Sequence, residues 1–313
     1  MRRSVVAAVA LLAVAAPVWA GELLLKDDGK ALSVTEDGKP VLSYWYTRVD
    51  APEGVADRFW RSSYIHPLYG LDGDVLTQDF PDDHRHHRGV FWAWPYCAVG
   101  ERRMDTWAIG SVRQLFDKWL VREETPGYVR VGVQNLWRFD DDAEPKVCEQ
   151  VFFTVYPADD QGRAIDLALR FQNIAKEEVT FLGAKESDKG YGGFCVRPDK
   201  ARAPFTFTTA RGRAAEDVLQ LDTPWADVSS QIAPGEAASG VAIFQHPGNP
   251  GYPHHGWILR HYGFLGASWP HNEPCRLAPG QSFELRYRLY IHRGTAEEAG
   301  VAAKFEAFAA EAQ

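Results

Sequence analysis

The chain has 313 residues, with 34 lysines and arginines against 42 aspartates and glutamates, for a formal net charge of -8 at pH 7. Nucleic acid and anionic lipid recruit excess positive charge, so an acidic chain of this kind argues against both as partners. A membrane-spanning helix needs about 20 consecutive apolar residues, and no run after the first 20 residues approaches that length.

The chain opens on Arg2 and Arg3, then an apolar run over residues 5–16, then Val18-Trp19-Ala20. That order is an export leader with a small-residue cleavage site. It predicts a signal peptide over 1–20, a mature chain over 21–313, and a periplasmic or secreted location. Cys97, Cys148, Cys195 and Cys275 form no Cys-x-x-Cys pair. In an exported chain they leave both one or two disulfides and separate buried thiols open.

Residues 22–49 read as a meander of short strands, because Asp27-Asp28-Gly29-Lys30 and Glu36-Asp37-Gly38-Lys39 are turn signals between β-rich runs. Residues 61–79 carry too much proline and glycine for regular structure and form a loop with a strand end. Residues 90–94 read as a buried strand. Strands recur over 128–139, where Val129, Val131 and Val133 alternate, and over 147–156 and 164–173. The acidic turns Asp140-Asp141-Asp142 and Asp159-Asp160 suggest calcium but do not match the twelve-residue EF-hand spacing. Residues 256–265 and 283–291 are further strands. Only the end looks helical: Thr295 with Glu298 is a capping box, and Val301, Phe305, Phe308 and Ala312 share a face expected to cover a sheet edge or end. With no repeat and no low-complexity linker, one all-β domain is expected over 21–313: a large antiparallel β-sandwich with a concave sheet and a short C-terminal helix.

Three stretches carry the chemistry. The first is Asp82-Asp83-His84-Arg85-His86-His87-Arg88-Gly89, which holds three of the ten histidines and leads into Trp92 and Trp94. Unpaired buried charge is costly, so this density points to a ligand. The second is Lys189-Gly190-Tyr191-Gly192-Gly193, flanked by Glu186 and Arg197, where glycine permits positive φ or close approach. The third is His246-Pro247-Gly248-Asn249-Pro250 with His254 and His255, a rigid loop suited to a site wall.

Read as an extended segment, residues 83–87 place His84 and His86 on one face and Asp83 and His87 on the other. His84 and His86 are then candidate ligands for a divalent metal, zinc or calcium, with His254, His255 or Glu186 as a third. Histidine titrates near neutral pH and suits proton transfer. The acid–base candidates are His84, His86, His87 and His246, with Asp83, Glu186 and Glu273 as carboxylates. Arg88 and Arg197 are candidates to hold a substrate carboxylate or a developing oxyanion. Lys189, Tyr191, Asn249, His255 and Trp94 complete the expected substrate contacts. Aromatic residues make up 13% of the chain, enough for platforms on which the apolar faces of sugars stack. No Gly-x-Ser-x-Gly elbow supports serine chemistry.

In their order along the chain, Asp83-His84-Arg85-His86-His87-Arg88-Gly89, Lys189-Gly190-Tyr191-Gly192-Gly193 and His246-Pro247-Gly248-Asn249-Pro250 resemble an exported bacterial family. It is commonly labelled "methane oxygenase PmoA" or a domain of unknown function. A membrane-embedded oxygenase subunit needs several spanning helices, which this chain lacks. Family members are similar to enzymes encoded near carbohydrate-degradation genes. The resemblance implies a β-supersandwich like that of galactose mutarotase, with His84, His86 or His87 as acid and Glu186 or Glu273 as base. The function expected is an exported carbohydrate-active enzyme, a hydrolase, lyase or epimerase acting on a glycoside or oxidised sugar. The alternatives are a non-catalytic carbohydrate-binding module and a metal-dependent oxidoreductase.

Overall fold

The structure, a computed structural model, describes residues 21–233 and 235–312. The expected signal peptide lies outside the described residues. Strands dominate and pair antiparallel, in an eight-stranded, a nine-stranded and a four-stranded sheet. The two larger sheets face each other across one apolar cluster. Trp92, Trp94 and Leu259 enter it from the eight-stranded sheet, and Val131, Phe153 and Leu289 from the nine-stranded one. This is the expected antiparallel sandwich.

The alternation in the sequence is what builds it. Along Tyr128–Phe139, Val129, Val131 and Val133 are fully buried while Arg130 is exposed. Each such valine stabilises the sandwich by about 1.5–3 kcal/mol. The two Asp-Gly turns of the opening meander hold Gly29 and Gly38 at φ 85° and 77°, where a side chain would be strained.

The strand Val90–Ala93 is buried along its whole length because both of its faces are covered. Val90 and Trp92 point between the sheets, while Phe91 and Ala93 point the other way. There they join Cys195, Ile258, Phe264 and Trp107 in a second apolar layer on the outer face of the eight-stranded sheet. The candidate site is built on this layer.

The helix Val301–Glu311 buries Val301, Phe305 and Phe308 as the spacing requires. It covers not an edge or an end but the outer face of the nine-stranded sheet, packing on Trp225, Phe244 and Tyr290. An apolar stripe finds its partner wherever one is uncovered, and these outward aromatics supply it. Thr295 and Glu298 exchange the two capping-box hydrogen bonds, at 2.8 and 3.3 Å. The box closes the turn ahead of Gly300, and the helix begins at Val301.

The acidic turns are committed to neighbours. Asp140, Asp141 and Asp142 pair with Arg113, Arg102 and Lys146. Asp159 accepts from two backbone N–H groups of its own turn and pairs with Lys304 of the helix. The four cysteines are free thiols, three of them buried.

Candidate functional site

The histidine run is not extended. His84 N–H donates to Pro81 O at 3.2 Å and His87 N–H to His84 O at 2.8 Å, so the segment folds into successive turns. This overturns the two-faced arrangement drawn from an extended chain: the turns bring all three imidazoles to one side. His84 stacks on His87 with centroids 4.6 Å apart and planes 7° from parallel, and His86 meets His87 edge-on, also at 4.6 Å.

Buried arginines fix these turns. Arg88 donates to Arg85 O and His87 O at 2.9 and 2.7 Å and to Phe59 O. Its guanidinium lies over Phe80 at 3.4 Å, with Nε 3.2 Å from Asp79. Arg197 holds both Asp83 oxygens, at 2.7 and 2.9 Å, and lies over Tyr262. Arg61 donates to His86 O and Thr106 O, so one side chain ties the histidine turns to the loop bearing Trp107. Arg88 and Arg197, expected at the substrate, stand behind the wall and do not line the hollow.

That hollow measures about 300 Å³. The three histidines form one side of it, Trp107, Tyr191 and Tyr262 the aromatic walls, and Lys189 and Arg260 are its cationic lining. Gly190, Gly192 and Gly193 take φ of 63°, 137° and 95°, the freedom expected of this turn. A Cβ on Gly190 would come within 2.1 Å of the His271 ring, which seats the turn that carries Lys189 and Tyr191.

Burial dominates the electrostatics. It holds His86 down to about 3 and His87 well below the usual histidine range, with the neighbouring histidines and arginines adding to the effect. Both rings are therefore neutral at physiological pH. Nε2 of His86 and both nitrogens of His87 are buried without a hydrogen-bond partner. His84 Nδ1 lies 3.1 Å from Asp83 Oδ2, an ion-pair approach off hydrogen-bond alignment. Burial works to raise the Asp83 carboxyl, but Arg197 and His84 outweigh it and hold it below the usual carboxylate range. The arrangement can move a proton at His84 and offer two neutral imidazoles as hydrogen-bond partners.

For a metal, the geometry reads differently. The rings of His84 and His86 are 5.8 Å apart and 78° from parallel. Among the described residues no group of three or more His, Cys, Asp or Glu side chains is placed to hold an ion.

The other expected residues fall elsewhere. Trp94 lies between the sheets, its Nε1 donating to Trp269 O at 2.7 Å. Glu186 is exposed and accepts from Tyr96 OH at 2.6 Å, and Glu273 is exposed on a turn. His255 packs against His271 at 5.5 Å, one layer behind the glycine turn. His246 sits near Phe308 of the helix, on the outer face of the opposite sheet. Asn249 bonds both main-chain groups of Arg286 at 2.7 Å, standing in for a strand neighbour. Thus the segments near 84 and 190 share one hollow, and the loop near 250 does not line it. Trp107, Tyr262, Arg260 and Arg61 escaped the sequence reading because each is isolated in its own stretch and only topology brings it to the site.

Residues 31–306 match a family model described as "Family of unknown function (DUF6807)". The chain belongs to this family. For this DUF6807 member no curated protein matches. Among solved structures it is similar to the GH36 α-galactosidase AgaB from Geobacillus stearothermophilus (12% identity, 91% of this chain and 41% of that one, TM-score 0.41). It is also similar to the heparan sulfate lyase HepC from Pedobacter heparinus (10%, 88% and 36%, TM-score 0.40). A third is a putative mutarotase, YeaD, from Salmonella typhimurium (7%, 87% and 94%, TM-score 0.35). The DUF6807 chain thus spans about two fifths of the α-galactosidase. The oxygenase label is not part of the family's description.

Proposed function

We propose that the histidine hollow binds one sugar residue and that the protein is an exported carbohydrate-active enzyme, a hydrolase, lyase or epimerase, working by acid–base catalysis. One observation carries the reading: neutral, buried imidazoles with unpartnered nitrogens face a small cavity walled by aromatic rings. An unmatched buried polar group costs about 1–3 kcal/mol, which a ligand's hydroxyls would recover. The apolar C–H face of a pyranose complements Trp107, Tyr191 and Tyr262. A hollow of about 300 Å³ stands at the lower end of small-molecule sites and suits a single ring. His84, steered by Asp83, exchanges the proton, and His86 and His87 orient hydroxyls. Of the three expected carboxylates, Asp83, Glu186 and Glu273, Asp83 takes the role.

The test is a panel of glycosides and free sugars, read separately for binding and turnover. His84→Ala is expected to lower kcat by about 10²–10⁴-fold while leaving affinity within about threefold. Full turnover in His84→Ala sinks the acid–base assignment. Sugars bound but never converted by the wild-type protein would make it a non-catalytic carbohydrate-binding module instead.

A further inference from the structure

The histidine hollow carries a charge opposite to that of the chain. Of its twelve lining residues, Lys189 and Arg260 are cationic, three are histidines and none is aspartate or glutamate, although acids outnumber bases 42 to 34 overall. Arg61, Arg88 and Arg197 are buried just behind the lining.

The surrounding acids are already engaged. Asp83 is held by Arg197, Asp79 by Arg88, and Asp217 by both Arg260 and His261. Glu186 is bound to Tyr96. Arg197 still has Nε and Nη1 without partners.

The imidazoles register the resulting field. After burial, the arginines that act on His86 are Arg61, Arg88 and Arg58, and those that act on His87 are Arg197 and Arg61. Each of these arginines disfavours a further positive charge on the two rings. Phe264 and Ile258 are buried apolar walls beside these cations, and apolar surroundings screen a charge less than water does.

We propose that the hollow takes a sugar bearing an anionic oxygen group, a carboxylate as in a uronic acid or its glycoside. Lys189 and Arg260 receive the carboxylate, and the ring lies on the aromatic walls. The inference rests on the reading of the hollow as a sugar site. A sulfate ester shares the anionic oxygens and is the alternative source of the same chemistry.

The experiment measures Kd for the methyl glycosides of glucuronate and galacturonate, their neutral glucose and galactose counterparts, and the 6-sulfated sugars. The better uronate is expected to bind about tenfold more tightly than its neutral partner. Added salt should weaken only the charged ligands. Lys189→Met, with Arg260→Met as a second variant, should remove the preference, weakening the uronate by about tenfold more than the neutral glycoside. Equal or tighter binding of the neutral glycosides overturns the anionic assignment and leaves the sugar reading standing. Tighter binding of the sulfates overturns the carboxylate. Failure of all of them to bind removes the sugar site and this inference with it.

Discussion

Glu149 and His87 are both essentially without exposure, at 0% and 1%, yet their surroundings differ completely. Glu149 sits between the sheets with four donors converging on it. Ser63 and Asn135 reach Oε1 at 2.6 and 2.8 Å, and Gln114 and Trp137 reach Oε2 at 2.8 and 2.7 Å. His87, on the outer side of the eight-stranded sheet, has two nitrogens and no partner for either. A buried polar group that folding satisfies is part of the scaffold. One that folding leaves open, beside a cavity, is poised for something that arrives later.

Substitution at the two positions should separate these roles most strongly. Glu149→Ala strands four donors in the core and should cost about 4 kcal/mol of stability, measured by urea denaturation. His87→Phe keeps the ring's shape and removes two unmatched nitrogens. It should leave stability within about 1 kcal/mol of wild type while abolishing ligand binding. If the two variants unfold equally readily, the distinction collapses.

Acid gives a smaller, graded effect. His86 is held at about 3 when folded, against about 6.5 in the unfolded chain. Between those values the unfolded chain takes up a proton that the folded one refuses, so stability falls as pH drops from 6.5 toward 3. Above 6.5 the term is constant. The slope of unfolding free energy against pH over 6.5–4.5 should flatten in His86→Phe, and an unchanged slope would show that His86 is not buried as neutral imidazole. The smallest effects belong to residues outside the hollow. Glu186→Gln and His246→Ala should alter sugar affinity by less than about twofold, whereas a tenfold change would redraw the site's boundary.

Much of the scaffold was legible. Period-two alternation located the strands around Val129, Val131 and Val133 and over Ser282–Arg293, because one face of each is committed to the core. The glycines near Tyr191 announced their positive φ. The histidine run was visible as chemistry but misread in shape. Its turns are held by Arg61 and Arg88 reaching main-chain oxygens, and periodicity carries no trace of such contacts. The loop near His246 was legible as irregular, but the side of the molecule it joins depends on Ala238–Gln245 pairing with Ser282–Arg293, a contact far apart in sequence. Arg260 and Tyr262 lie on the local hairpin of Trp257–Arg260 with Phe264–Ala267, which reaches the hollow only because Phe264–Ala267 pairs with Gly193–Val196, about 70 residues away in sequence.

The anchors of the histidine turns end on the carbonyls of Arg85, His86, His87 and Thr106. Every amino acid brings that oxygen, so no exchange at those four positions can delete an anchor. A designer can therefore graft new chemistry at 86 or 87 onto a mould that holds its form.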